Sequence, residues 1–438
     1  MKLVLTYEGK ARVFDGTLIK DKNNYYVEVY APEEIKLGDY IDNIKCKNSF
    51  MGDVTLLNNV NTLISYGLVK PREYKYVYEV GYLVTGFLDE EDTYVSSMLI
   101  YYKEFDSFFV EHGYKINTEN LKEEFSITQK KCHEILLKND NLTIEYIKEG
   151  GVNRSSTGHV IFLNPANLKI SFNKPIPLSN IFYEIDRIEK VFGFVIERKM
   201  NLIETFICDD NYGMHKVIVK YQKEYDDVQY EELHVVDVSS KKLLKDILKK
   251  YYEDESISSA INVFYEYICN ELSYVFEFTS LVNTLELILS RKEHIDTIKK
   301  YAQDNNKRLK QNNKKMMDIF NILSEEQKKF ISSFYKFENV ELADRIKYTF
   351  YEVYKLIQNE KTDKYISSIV KTRNFYVHGT KSKKIICGIK MVQTKNLLNM
   401  MLYNLIIDIC TKEKNAMIGS NEMLIPKVYN SIIDGSVE

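Results

Sequence analysis

The chain has no tryptophan and no run of about 18 apolar residues, so no membrane-spanning helix is expected. The nearest approach, LLNMMLYNLIIDIC, is broken by Asn399, Asn404 and Asp408. The opening MKLVLTYEGK meets an acid and a glycine before an apolar segment is complete, so no secretory leader is expected. The six cysteines (46, 132, 208, 269, 387, 410) form no C-x-x-C pair, which argues against a zinc ribbon or a disulfide scaffold. Scattered thiols of this kind suit a reducing, cytoplasmic setting. The seven histidines form no H-x-x-x-H pair, and no metal or other cofactor is expected. The glycine pair at 150–151 lacks the remainder of a phosphate-binding loop.

Glycine and proline are unevenly spread over the 438 residues. Of 17 glycines, 13 fall at or before Gly213; of 6 prolines, 5 fall at or before Pro177; residues 214–378 contain neither. The length favours more than one domain, and the long breaker-free stretch favours helices. The first part reads as strands: YYVEVYA (25–31), YKYVYEVGYLVTG (74–86), TYVSSMLIYY (93–102), LTIEYIK (142–148), HVIFL (159–163) and LKISF (168–172). Further strands follow in LIETFICDD and HKVIVKYQ. Between them SNIFYEIDRIEKVFGF reads as one helix capped by Ser179, with Ile181, Phe182, Ile185, Ile188 and Phe192 on one face. The second part reads as roughly five to seven helices, one of which starts with Ser324 and Gln327 in capping-box spacing. The expected fold class is α+β. An antiparallel β-rich domain, sandwich or barrel-like with a helix, occupies 1–238, and an all-α bundle occupies 239–438.

Charge divides in the same place. Residues 1–240 hold 28 Lys+Arg and 38 Asp+Glu, a net of −10; residues 241–438 hold 32 and 25, a net of +7. Residues 361–395 hold nine basic side chains and one acid, Asp363. Such a patch suits an anionic partner, nucleic acid above all, or else it is a solvated lysine-rich face.

The segment DKYISSIVKTRNFYVHG lies inside that patch. On a helix, Ile366, Ile369, Val370, Arg373, Tyr376 and Val377 fall on one stripe. Arg373 is thus in line with apolar residues and needs a partner or a use. Asn374 and His378 lie four apart on an adjacent face, and Gly379 reads as the residue that ends the helix. An arginine with a histidine suits metal-free RNA cleavage. The histidine moves the proton of the attacking 2′-hydroxyl or of the leaving 5′-oxygen, and the arginine holds the phosphate. One histidine cannot readily serve both sides of a phosphate, so two copies of the chain are expected to share a cleft. The spacing alone is weak, because Arg154 and His159 repeat it in a segment that reads as a hairpin loop. Tyr376 reads first as a core residue and second as a ring that stacks on a base. Lys371, Lys381, Lys383 and Lys384 are candidate phosphate contacts. The basic, Asn-rich segment 299–315 reads as an exposed helix or loop.

The sequence RNFYVHG near the end of a bundle, followed by a basic segment and a long apolar helix, resembles the HEPN superfamily. Its ribonuclease members carry arginine, four to six residues, then histidine, commonly with a polar residue directly after the arginine. Arg373, Asn374 and His378 match that pattern. A β-rich domain of about 240 residues ahead of the bundle is similar to the ApeA-type proteins of bacterial anti-phage defence. The resemblance implies a dimeric, metal-independent endoribonuclease that cuts cellular RNA, tRNA among the candidates, in abortive infection. The N-terminal domain would then sense a phage-derived trigger. An acidic residue often orients the arginine in this superfamily, and Glu286, inside the apolar helix LVNTLELILS, is the candidate here. The rival expectation is a non-catalytic protein, whose bundle dimerises or binds RNA and whose β domain binds a ligand or a protein.

Overall fold

The computed structural model describes residues 1–7, 10–22, 24–66, 73–86, 88, 93–105, 114–117, 126–129, 131–149, 151–154, 160–163, 166–211, 213–219, 239–270, 272–305, 318, 322–328, 340–382, 384–411 and 420–434. The chain divides into two compact units, Met1–Leu248 and Lys249–Glu438.

The first unit is built on antiparallel strands. In chain order they are β1 (Lys2–Tyr7), β2 (Lys10–Asp21), β3 (Asn24–Pro32), β4 (Tyr40–Ser49), β5 (Gly52–Tyr66), β6 (Glu73–Thr85), β7 (Tyr94–Tyr102), β8 (Tyr114–Asn117), β9 (Ser126–Gln129), β10 (Lys131–Lys138), β11 (Leu142–Glu149), β12 (Gly151–Arg154), β13 (Val160–Leu163), β14 (Ala166–Pro177), β15 (Leu202–Asp209) and β16 (Met214–Val219). Six of them close on themselves in the order β6-β3-β2-β1-β4-β5, with β5 returning to β6. Closure removes the exposed edges that an open sheet would present. Alternate residues point inward, and Leu3, Leu5, Phe14, Leu18, Val27, Val29, Ile44, Val54, Leu56, Tyr76 and Tyr78 fill the barrel. Gly16 sits where there is no room for a side chain. A Cβ there would stand 2.2 Å from both the Glu28 carbonyl oxygen and Leu3 Cδ1.

Strand β6 also belongs to a second sheet. Its residues 73–79 pair with β3, and residues 82–84, on the same edge, pair with β16. From β16 an open sheet continues as β15-β7-β14-β11-β10. Helix α1 (Leu178–Ile196) covers part of it with Ile181, Phe182, Ile185, Ile188 and Phe192, the residues expected on its buried face. Phe182 stacks on Tyr82 of β6 with ring centroids 3.6 Å apart. The expected Ser179 cap is absent: the helix starts at Leu178, directly after Pro177, without a side-chain cap. The strands β12 and β13 form a separate antiparallel pair, and the Arg154–His159 repeat falls largely outside the described residues, which omit 155–159.

Helix α2 (Ser239–Glu253) runs across the boundary between the units. The described remainder of the second unit is largely helical: α3 (Glu255–Cys269), α4 (Tyr274–Leu289), α5 (Lys292–Asn305), α6 (Leu342–Tyr348), α7 (Glu360–His378), α8 (Ile389–Thr411) and α9 (Ser420–Asp434). With α2 that makes eight helices among the described residues, against the five to seven expected, because the apolar stretch 260–292 is broken at 270–273. There Ser273 caps α4 through a hydrogen bond from the Phe276 amide. Helix α6 passes directly into a π-helical turn, Thr349–Val353. Helix α4 packs on α3 and α8, and α7 packs on α4, α6 and α9. Lys395 of α8 holds Glu277 of α4 at 2.6 Å. Ser324 and Gln327 form the expected capping box, with each side chain bonded to the other's amide. Much of segment 299–315 lies outside the described residues, which resume after Asn305 only at Asp318.

Candidate active site

Helix α7 carries the site at its C-terminal end. Asn359 caps its start, accepting from the Thr362 amide at 2.9 Å. Ile366 and Ile369 are fully buried and fix which face of the helix looks inward. The next turn on that face is Thr372, also fully buried, and Arg373 stands beside it. The helix ends in an αL cap. The Gly379 amide donates to the Phe375 carbonyl at 3.0 Å and the Thr380 amide to that of Asn374 at 3.4 Å. Gly379 takes φ +64°, a conformation that costs little without a Cβ. The Thr380 hydroxyl adds a 2.7 Å bond to the Asn374 carbonyl. The chain then turns back, and the Ile386 amide donates to Thr372 Oγ1 at 2.8 Å. This bond anchors the basic loop that follows the helix.

Arg373 organises the side chains. Its Nε donates to Asn283 Oδ1 at 3.0 Å. Its Nη1 donates to Asn374 Oδ1 at 3.2 Å and to His378 Nε2 at 2.8 Å. Its Nη2 donates to Glu286 Oε2 at 3.3 Å. The arginine is largely buried and the glutamate half-buried, with side-chain exposures of 17% and 35%. The sequence-derived set Arg373, Asn374, His378 and Glu286 is therefore one hydrogen-bonded group. Asn283 and Glu286 reach it together because they are three apart on α4.

A guanidinium has no acceptor, so the bond to His378 Nε2 runs one way only. Nε2 is therefore the accepting nitrogen and presents its lone pair to the guanidinium. A lone pair at Nε2 is what a general base needs.

The remaining candidates surround this group. Lys371, Lys381 and Lys384 are exposed, and Lys383 lies outside the described residues. Tyr376 is 39% exposed and Val377 42%, so the apolar stripe does not continue into the core at this end. Tyr376 meets Phe375 edge-on, with centroids 5.0 Å apart.

Sequence reading missed two participants. Asn283 is one, although an asparagine and a glutamate sharing a face of an apolar helix are a legible signal. Arg345 of α6 is the other. Its Nη1 donates to the Glu286 backbone carbonyl at 3.2 Å and to Ser290 Oγ, and lies 3.9 Å from Glu286 Oε1. Nothing in VELADRIKYTF distinguishes it from a surface arginine.

Comparison with known families accounts for most of the chain. Residues 5–252 match the ApeA N-terminal domain 1, and residues 279–414 match the Apea-like HEPN domain. The chain belongs to the ApeA-like HEPN family. At the level of that family it is an anti-phage HEPN nuclease protein. No curated protein and no solved structure was found to match it. Every residue of the group around Arg373 lies inside the HEPN match. Apart from the first residues of β1, the β-rich barrel and sheet lie inside the match to the ApeA N-terminal domain.

Proposed function

We propose that this ApeA-like HEPN protein is a metal-independent endoribonuclease that cuts cellular RNA, tRNA among its candidate substrates, during abortive infection. The observation that carries the reading is the 2.8 Å contact between Arg373 Nη1 and His378 Nε2. It puts a proton acceptor and a phosphate-binding cation on one helix end. In the proposed step His378 Nε2 takes the proton of a ribose 2′-hydroxyl. The 2′-oxygen bonds to phosphorus, and the bond from phosphorus to the 5′-oxygen breaks. Arg373 stabilises the charge that gathers on the phosphate oxygens, and Asn374 keeps the guanidinium in place. The leaving 5′-oxygen takes a proton from the imidazolium of a second copy. The products are a 2′,3′-cyclic phosphate and a 5′-hydroxyl end.

The dimer is part of the proposal. Val377 of α7 and Leu287 of α4 leave apolar surface exposed on the helices that carry the site. A second copy would cover that surface and bring its own histidine. Lys371, Lys381, Lys383 and Lys384 would contact the RNA backbone, and Tyr376 would stack on a base. The N-terminal β unit would sense a phage-derived trigger.

The test incubates wild type and His378→Ala with total bacterial RNA in EDTA, with and without lysate from phage-infected cells. Light scattering checks the dimer. Cleavage by wild type, lost in a folded dimeric variant, is the expected result. Equal cleavage by both, or none from wild type under either condition, overturns the reading.

A further inference from the structure

We infer that Arg345 is a positioning residue of this site, acting on Arg373 through a shared Glu286; the inference rests on the nuclease reading above. Glu286 stands between two guanidinium groups. Its Oε2 accepts from Arg373 at 3.3 Å, while its other oxygen faces Arg345 at 3.9 Å. The two arginine side chains are 17% and 15% exposed, so neither is an ordinary surface cation.

Arg345 also holds the backbone from which Glu286 projects. Glu286 lies in the last turn of α4, where carbonyls have no intrahelical partner. Arg345 Nη1 and Ser290 Oγ both donate to the Glu286 carbonyl, the latter at 2.6 Å. A cation there is also favoured by the helix dipole. The same guanidinium thus fixes the Glu286 main chain and offers its carboxylate a second counter-ion.

The second counter-ion matters for the chemistry. A carboxylate paired with one arginine alone would orient that arginine and cancel its charge. Two arginines on one carboxylate leave a net single positive charge. Arg373 is then oriented and still attracts a phosphodiester. The π-helical turn at Thr349–Val353 begins four residues after Arg345, and the Thr349 hydroxyl bonds to the Arg345 carbonyl at 3.0 Å. Such turns recur at functional sites.

The test compares full-length wild type with Arg345→Ala, Arg345→Lys and Arg345→Gln. The glutamine amide can still donate to the Glu286 carbonyl and to Ser290, but it carries no charge. The lysine keeps the charge. One readout needs no activity: acylation of His378 by diethyl pyrocarbonate at pH 7, followed by peptide mass spectrometry, with His133 as internal reference. Loss of the Arg373 bond to Nε2 should speed labelling about fivefold in the Ala and Gln variants, the size of one hydrogen bond. The Lys variant should stay near wild type. The second readout is cleavage of total bacterial RNA. There the apparent kcat of Ala and Gln should fall about tenfold with little change in KM, and Lys should restore it.

Rescue by Gln in either readout, or unchanged labelling in a folded Ala or Gln variant, would reduce Arg345 to a helix cap and overturn the inference. The nuclease reading fails on different grounds, when wild type does not cut or His378→Ala cuts equally. The labelling still decides the role of Arg345 in that event.

Discussion

A guanidinium carries five N–H donors in a fixed plane, and Arg373 spends four of them within the described residues. The fifth, on Nη2, has no partner among them. A phosphate gripped by the free Nη2 donor and a parallel bond from Nη1 must therefore displace an Nη1 partner, and the exposed one of the two is His378. In the proposed reaction, release of the imidazole and capture of the phosphate are then one event: the base would become free as the cation becomes engaged. Lysine cannot reproduce this geometry, because an ammonium is a point charge without a fork. Arg373→Lys should keep the fold yet lower RNA cleavage by about a hundredfold. Initial rates on total bacterial RNA and a thermal melt check both halves of that statement. A loss of less than about threefold would mean that charge alone suffices at this position.

Elements set the precision of the group, and the second unit ties its helix ends together with ion pairs. Asp254 caps α3, accepting from the Ser256 amide at 3.1 Å and the Ile257 amide at 3.3 Å. It also pairs with Arg291, just beyond α4, at 2.7 Å. Burial pushes its carboxyl up, but the Ser256 hydrogen bonds and the Arg291 pair outweigh burial and hold it below the usual carboxylate range. A lowered folded-state value means that ionised Asp254 stabilises the fold above about pH 4. That contribution is lost as pH falls through the folded value. Asp254→Asn keeps a cap acceptor and loses the charge. It should cost about 1 kcal/mol at pH 7, and the gap to wild type should close below about pH 4. Thermal melts of both proteins from pH 3 to pH 7 measure it. How much of this could be read beforehand differs by element. Helix α7, its terminating Gly379 and its arginine were legible because Ile366 and Ile369 set a clear stripe that a charge then joins. The first barrel strands were not. In β2 the inward positions are Phe14, Gly16 and Leu18, so a glycine interrupts the alternation. Strand β5 carries Asn58, Asn59 and Asn61, residues that ordinarily mark turns. Yet Asn59 is buried, and its amide bonds to the Ile41 and Leu56 carbonyls. Arg345 was invisible for another reason: its partners lie in a helix more than 50 residues away, and no spacing rule reaches that far.

At the scale of the whole molecule, the two halves of the sequence carry opposite net charge. Residues 241–438, net +7, hold the Arg373 group and the loop lysines, whereas residues 1–240 carry −10. Binding of single-stranded RNA to the His378→Ala protein should therefore weaken steeply with salt. Each lysine–phosphate contact removed should flatten the plot of log affinity against log salt by about 0.7. Replacing Lys381 and Lys384 together should flatten it by about 1.4. An unchanged slope in fluorescence-anisotropy titrations would remove both lysines from the RNA contact. The β-rich unit has a different whole-scale property, which follows from β6. One edge of that strand is divided between β3, in the barrel, and β16, in the open sheet. The division falls around Gly81, where a Cβ would meet the Asn58 carbonyl oxygen at 2.9 Å. A beam common to two frames cannot be bent in one and left straight in the other. Strain applied anywhere along β10-β11-β14-β7-β15-β16 is therefore already strain on the barrel wall, and the two sheets hear the same signal.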